Sequence, residues 1–130
     1  MTIYGTYESS RSLMPEVRKT RPVSWVKAAL KEFRTFPEGA QAICLAALTI
    51  AAEGGKADIA KPLHGLGSGV LEIALPFRGD AFRVVYAVQL AHNIWVVHAF
   101  QKKSTTGSKT PPREIEVARN RMKQLKEMLT

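Results

Sequence analysis

Three consecutive runs of alternating side chains, residues 70–75, 81–89 and 94–100, constrain this chain more than any other feature. A period of two sends successive side chains to opposite faces of a strand. The gaps between the runs are short and turn-like, Arg78-Gly79 and His92-Asn93, so each run reverses into the next. In the middle run Phe82, Val84, Tyr86 and Val88 share one face, and Arg83, Val85, Ala87 and Gln89 share the other. An antiparallel meander of this kind has apolar surface to bury and needs helices to bury it.

The helical periods lie on either side of the meander. Residues 23–26, with Trp25, suit a short first strand, and residues 27–36 switch to helical spacing through Ala29, Leu30 and Phe33. Pro37 and Glu38 fit the first turn of a second helix, where proline loses no hydrogen bond and a carboxylate meets the positive end of the dipole. Its stripe of Ala40, Ile43, Cys44, Ala47, Leu48 and Ala51 follows the i, i+3, i+4, i+7 rule, and Gly54-Gly55 supplies a left-handed stop. A glycine-rich connector over residues 61–69 leads into the meander. After it, Thr110-Pro111-Pro112 opens a last helix with a narrow apolar seam of Ile115, Ala118, Met122, Leu125 and Leu129. The predicted order is β-α-α-β-β-β-α, an α+β domain with helices on an antiparallel sheet. It occupies residues 21–130, preceded by a flexible N-terminal arm over residues 1–20.

Length and composition narrow the function. A chain of 130 residues fits one domain with a core of its own. The single cysteine, Cys44, cannot form an intrachain disulfide, and its apolar neighbours predict an inert buried thiol in a reducing, cytoplasmic setting. The apolar stretch 40–52 is too short for a membrane span. No cysteine, histidine and carboxylate spacing resembles a metal site, and the glycines make no Walker or dinucleotide motif, so neither a metal nor a cofactor is expected.

The net charge of +8 is concentrated at the two ends. Residues 1–35 hold seven basic against three acidic side chains, 36–98 four against five, and 99–130 eight against three. Such a distribution suits a polyanion binder, provided the fold brings the basic ends onto one surface; a generic solvated surface is the alternative. The run Ile94-Trp-Val-Val-His-Ala-Phe-Gln-Lys-Lys-Ser104 carries a stiff strand into a cationic loop, which would hold Lys102 and Lys103 in place.

Several fragments, taken in order, resemble a known family. They are Trp25, Phe36-Pro37-Glu38, Ala60-Lys61-Pro62-Leu63 with Gly65, Val70-Leu71-Glu72-Ile73, Phe82-Arg83-Val84-Val85-Tyr86, and His98 through Ser104 followed by Thr110-Pro111. Over residues 22–128 this pattern is similar to the phage-derived, HigB-like branch of the RelE/ParE-type toxins. The resemblance implies a microbial RNase-type fold that cleaves mRNA, usually on the ribosome. It also implies an antitoxin partner with a helix-turn-helix domain, and operator DNA bound through the toxin–antitoxin complex. A non-cleaving module of the same fold, acting on a protein such as gyrase or as a phage nucleic-acid-binding regulator, is the alternative.

Metal-free RNA cleavage needs a deprotonated 2′-OH, a neutralised phosphorane and a protonated leaving oxygen. By the resemblance, an arginine on the middle meander strand and a basic residue past the last strand flank the phosphate, which points to Arg83 and to Lys102 or Lys103. A cross-strand pair with Glu72 is the competing reading of Arg83. Lys61 is a further phosphate or base candidate, with an ordinary surface lysine as the alternative. His98 is a catalytic candidate set against a satisfied core histidine, and His64 reaches outward from a glycine-rich loop. Arg78, Lys109 and Arg113 complete the expected RNA-binding set with His64. Tyr86 is expected to face the core and takes no part.

Overall fold

The computed structural model describes residues 3–7, 20–103 and 109–130. Its elements are β1 (Ile3–Tyr7), β2 (Val23–Val26), α1 (Lys27–Phe33), α2 (Glu38–Ala52), β3 (Ala60–Pro62), β4 (Val70–Phe77), β5 (Asp80–Leu90), β6 (Asn93–Lys102) and α3 (Pro112–Leu129). The α+β class and the β4–β5–β6 meander hold. Arg78, at φ 54°, and Gly79, at φ 87°, turn the chain between β4 and β5.

The sheet is mixed rather than antiparallel. Its six strands run in the order β1-β2-β6-β5-β4-β3, and β2 lies parallel to β6 while the other neighbours are antiparallel. The reason is connectivity. A two-residue turn suffices between antiparallel neighbours, whereas parallel strands need a long crossover; here α1, α2 and the meander all intervene before β6 returns beside β2.

Two strands were not foreseen. Ile3–Tyr7 pairs with β2 on one edge, where the sequence suggested a loose arm, and the rest of that arm, residues 1–2 and 8–19, lies outside the described residues. Ala60–Pro62 pairs with β4 on the opposite edge, a place that tolerates the missing N–H of Pro62.

A row of rings joins the first helices to the sheet. Trp25, Phe33, Phe36 and Phe82 follow one another at centroid separations of 4.9, 5.3 and 4.8 Å. α1 stops at Phe33 rather than at residue 36, and the amide of Gln41 binds the carbonyls of Arg34 and Phe36, holding the bend before Pro37. α2 buries Ala40, Cys44, Ala47, Leu48 and Ala51 as the stripe predicts, but Ile43 sits at its border and is 41% exposed. Gly54, at φ 93°, ends it. α3 buries Ala118, Met122 and Leu125, while Leu129 at its last turn stays exposed. Across the molecule, the Arg21 guanidinium donates to the carbonyls of Val88, His92 and Asn93 and clamps the β5–β6 hairpin.

Candidate functional site

A cleft of about 640 Å³ opens between the β3 connector and the start of α3. One wall carries Lys61, Pro62, Leu63 and His64; the other carries Lys109, Thr110, Pro112, Ile115, Glu116 and Arg119, and Glu72 lies between them. Local sequence explains both walls. β3 is an edge strand, so Lys61 is exposed, and His64 follows on a loop whose Gly65 takes φ 94°. On α3, positions 112, 115, 116 and 119 follow helical spacing and form a second stripe beside the buried seam.

The walls meet at a buried carboxylate. Glu72, 1% exposed, stands directly opposite Lys61 in the β3–β4 register. It accepts a hydrogen bond from Arg83 Nη1 at 3.1 Å, and the Thr110 hydroxyl lies 2.8 Å from each of its oxygens. Arg83 is itself 4% exposed. Pairing it with Glu72 is how two buried charges are tolerated away from water. Arg119 spans the mouth, pairing with Glu116 and donating to the Gly65 carbonyl at 3.2 Å.

Of the residues singled out in the sequence, Lys61, His64 and Lys109 converge on this cleft. Arg83 lies behind its floor in the cross-strand pair with Glu72. The others sit elsewhere. β6 continues through Lys102, which is buried opposite Ala81, while Lys103 is exposed just beyond the strand. Arg78 projects from the β4–β5 turn with its guanidinium 5.1 Å from the centre of the Phe77 ring, and Arg113 is exposed on the first turn of α3.

His98 occupies a separate, partly buried network. It is 4% exposed, stacks on Phe100 at 5.0 Å, and sets Nδ1 3.1 Å from Glu32 and Nε2 2.7 Å from Glu114. Arg121 binds both oxygens of Glu32 at 2.9 and 2.8 Å. Burial alone would raise the Glu32 pKa, yet the hydrogen bonds and charges of Arg121 and His98 outweigh it and bring the value down to about 2. Both ring nitrogens of His98 are thus engaged by carboxylates. Burial pushes the Tyr86 phenol and the Cys44 thiol each up to about 12, so neither ionises readily near neutrality.

Glu116, Arg119 and the Glu72–Thr110 contact were not anticipated. The spacing of 112, 115, 116 and 119 was a usable signal for the first two; nothing local announced the third. Among the described residues no group of three or more His, Cys, Asp or Glu side chains is placed to hold a metal ion, and no helix is long and apolar enough to cross a membrane.

These features define a small mixed α+β domain with a cation-rimmed cleft between a sheet edge and its last helix. Residues 31–123, which include both walls, match the family described as Phage derived protein Gp49-like (DUF891), and the chain belongs to that family. The family falls within the RelE/toxin-like group. A comparison with curated proteins finds no match.

Proposed function

We propose that this chain is the toxin of a toxin–antitoxin pair, of the RelE/ParE type and its HigB-like branch, and that it cleaves mRNA on the ribosome without a metal. The observation that carries the reading is the convergence of Lys61 and His64 from one wall with Lys109 and Arg119 from the other. Family membership in the RelE/toxin-like group and the net charge of +8 support it.

In this reading the 2′-OH of one ribose attacks the adjacent phosphorus, a 2′,3′-cyclic phosphate forms, and the 5′-oxygen of the next nucleotide leaves with a proton. Lys61, Lys109 and Arg119 supply positive charge to the phosphorane, which carries more negative charge than the ground state. His64, the imidazole on the cleft wall, exchanges the proton. Arg83 acts behind the cleft as the counter-charge of Glu72, rather than as a direct phosphate ligand. An antitoxin with a helix-turn-helix domain silences the protein and carries the pair to operator DNA.

The test is induced expression in bacteria with mapping of mRNA 5′ ends. Growth arrest with new cuts that disappear in Lys61→Ala/Lys109→Ala and in His64→Ala is the expected result. Arrest without cuts would overturn the nuclease reading and leave a protein target such as gyrase.

A further inference from the structure

A phosphate clamp needs only charge, yet much of the cleft between the cations is hydrocarbon. Pro62 and Leu63 face it from one side and Pro112 and Ile115 from the other. Leu63 and Ile115 are only partly buried, so the strip is wet in the free protein. Its volume, about 640 Å³, lies within the roughly 300–1,000 Å³ of small-molecule sites.

We infer that the cleft is a nucleotide subsite: one unstacked base lies on the Pro62–Leu63–Ile115 strip while its phosphate meets Lys61, Lys109 and Arg119. The inference rests on the cleft being the RNA site proposed above, and it adds that the protein reads the presence of a free base as well as backbone charge. A base stacked and paired within a duplex cannot reach the strip, so the cleft selects single-stranded RNA. Charge complementarity and the apolar floor together match a nucleotide; an apolar peptide would bring no anion to Lys61 and Lys109 on the two walls, and inorganic phosphate would leave the strip uncovered. Rigidity comes from below, because Glu72 joins the sheet to Thr110 and so fixes the spacing of the two walls.

The experiment is calorimetric titration of the full chain at low salt with adenosine 5′-monophosphate and with ribose 5-phosphate, which share the phosphate and sugar and differ by the base. Burying roughly 60 Å² of apolar surface corresponds to about tenfold in affinity. The expected result is therefore adenosine monophosphate binding about tenfold tighter than ribose 5-phosphate, with both weakened by Lys109→Glu and only the difference reduced by Ile115→Ser. Equal affinity of the two ligands for the unaltered protein would overturn the inference whether or not Ile115→Ser folds. So would binding that ignores Lys109→Glu. Because this readout involves no cleavage, tight nucleotide binding without mRNA cuts would sink the nuclease reading and leave the subsite standing, while cuts with equal ligand affinities would do the reverse.

Discussion

Replacing Thr110 by valine tests whether the Glu72 contact holds the cleft together. The change keeps the shape of the side chain and deletes one hydroxyl. Although that hydroxyl lies 2.8 Å from both carboxylate oxygens, it has a single proton, so one shared hydrogen bond is lost. Glu72 keeps its bond from Arg83 and so retains its counter-charge. A hydrogen bond to a charged group is worth about 1.5–3 kcal/mol, and Thr110 is 7% exposed, so water replaces it poorly. Thr110→Val is therefore expected to cost about 2 kcal/mol in urea unfolding, with the midpoint lowered and the slope unchanged. Thr110→Ser, which keeps the hydroxyl, recovers most of the loss. Removing the carboxylate instead, in Glu72→Ala, takes the Glu72 counter-charge away from the buried Arg83 and costs about 3–5 kcal/mol. A Thr110→Val protein within about 0.5 kcal/mol of the parent would refute the argument, because the bond would then not be what fixes the start of α3.

Acid should weaken the fold through Glu32. Its folded pKa is about 2 against an ordinary 4.5, so its contribution is complete above about 4.5 and disappears as pH falls toward 2. Urea midpoints measured from pH 6 to pH 2 should fall less steeply in Glu32→Gln than in the parent; parallel curves would count against the pairing. Arg21→Ala removes three donated hydrogen bonds from the β5–β6 hairpin and should cost about 1–3 kcal/mol, with faster amide exchange localised near residues 88–93. Cys44 is fully buried and its thiol is pushed up to about 12, so a disulfide reagent should label it only after unfolding; rapid labelling of the native chain would show that α2 does not pack as described.

What could be read from the sequence was local. The meander needed only alternation and two tight turns, and β4, β5 and β6 fall where those signals place them, each extended by a few residues. The partnership of β2 with β6 depends on Val23 meeting Ile94, a pairing across some seventy positions that no periodicity encodes. β3 was hidden by its length and by Pro62. The site divided in the same way. Lys61, His64 and Lys109 were visible as cations and a histidine in loop-like settings, whereas the destination of Arg83 turned on a diagonal neighbour on the adjacent strand. Its face of β5 reads Arg83, Val85, Ala87, which is a buried pattern, and the Glu72 pairing was the reading consistent with it. β6 continues two residues past Phe100 and carries Lys102 inward, which the alternation up to Phe100 did not announce.

The narrowness of the α3 seam explains why two polar networks lie beneath it. Ala118, Met122 and Leu125 supply apolar contact but little direction, since hydrophobic burial tolerates sliding and rotation. Hydrogen bonds to carboxylates in fixed positions do not tolerate it. Thr110 on Glu72 fixes the approach to the helix, and Glu114 on His98 with Arg121 on Glu32 fixes its rotation against β6 and α1. Because residues 115, 116 and 119 are carried on the same helix, the rotation that seats Glu114 and Arg121 over the sheet also turns Ile115, Glu116 and Arg119 toward Lys61 and His64. A change confined to the second network, such as His98→Leu, should then weaken nucleotide binding in a cleft that His98 does not line. Parent-like affinity for adenosine 5′-monophosphate in a folded His98→Leu protein would show that the apolar seam alone sets the helix.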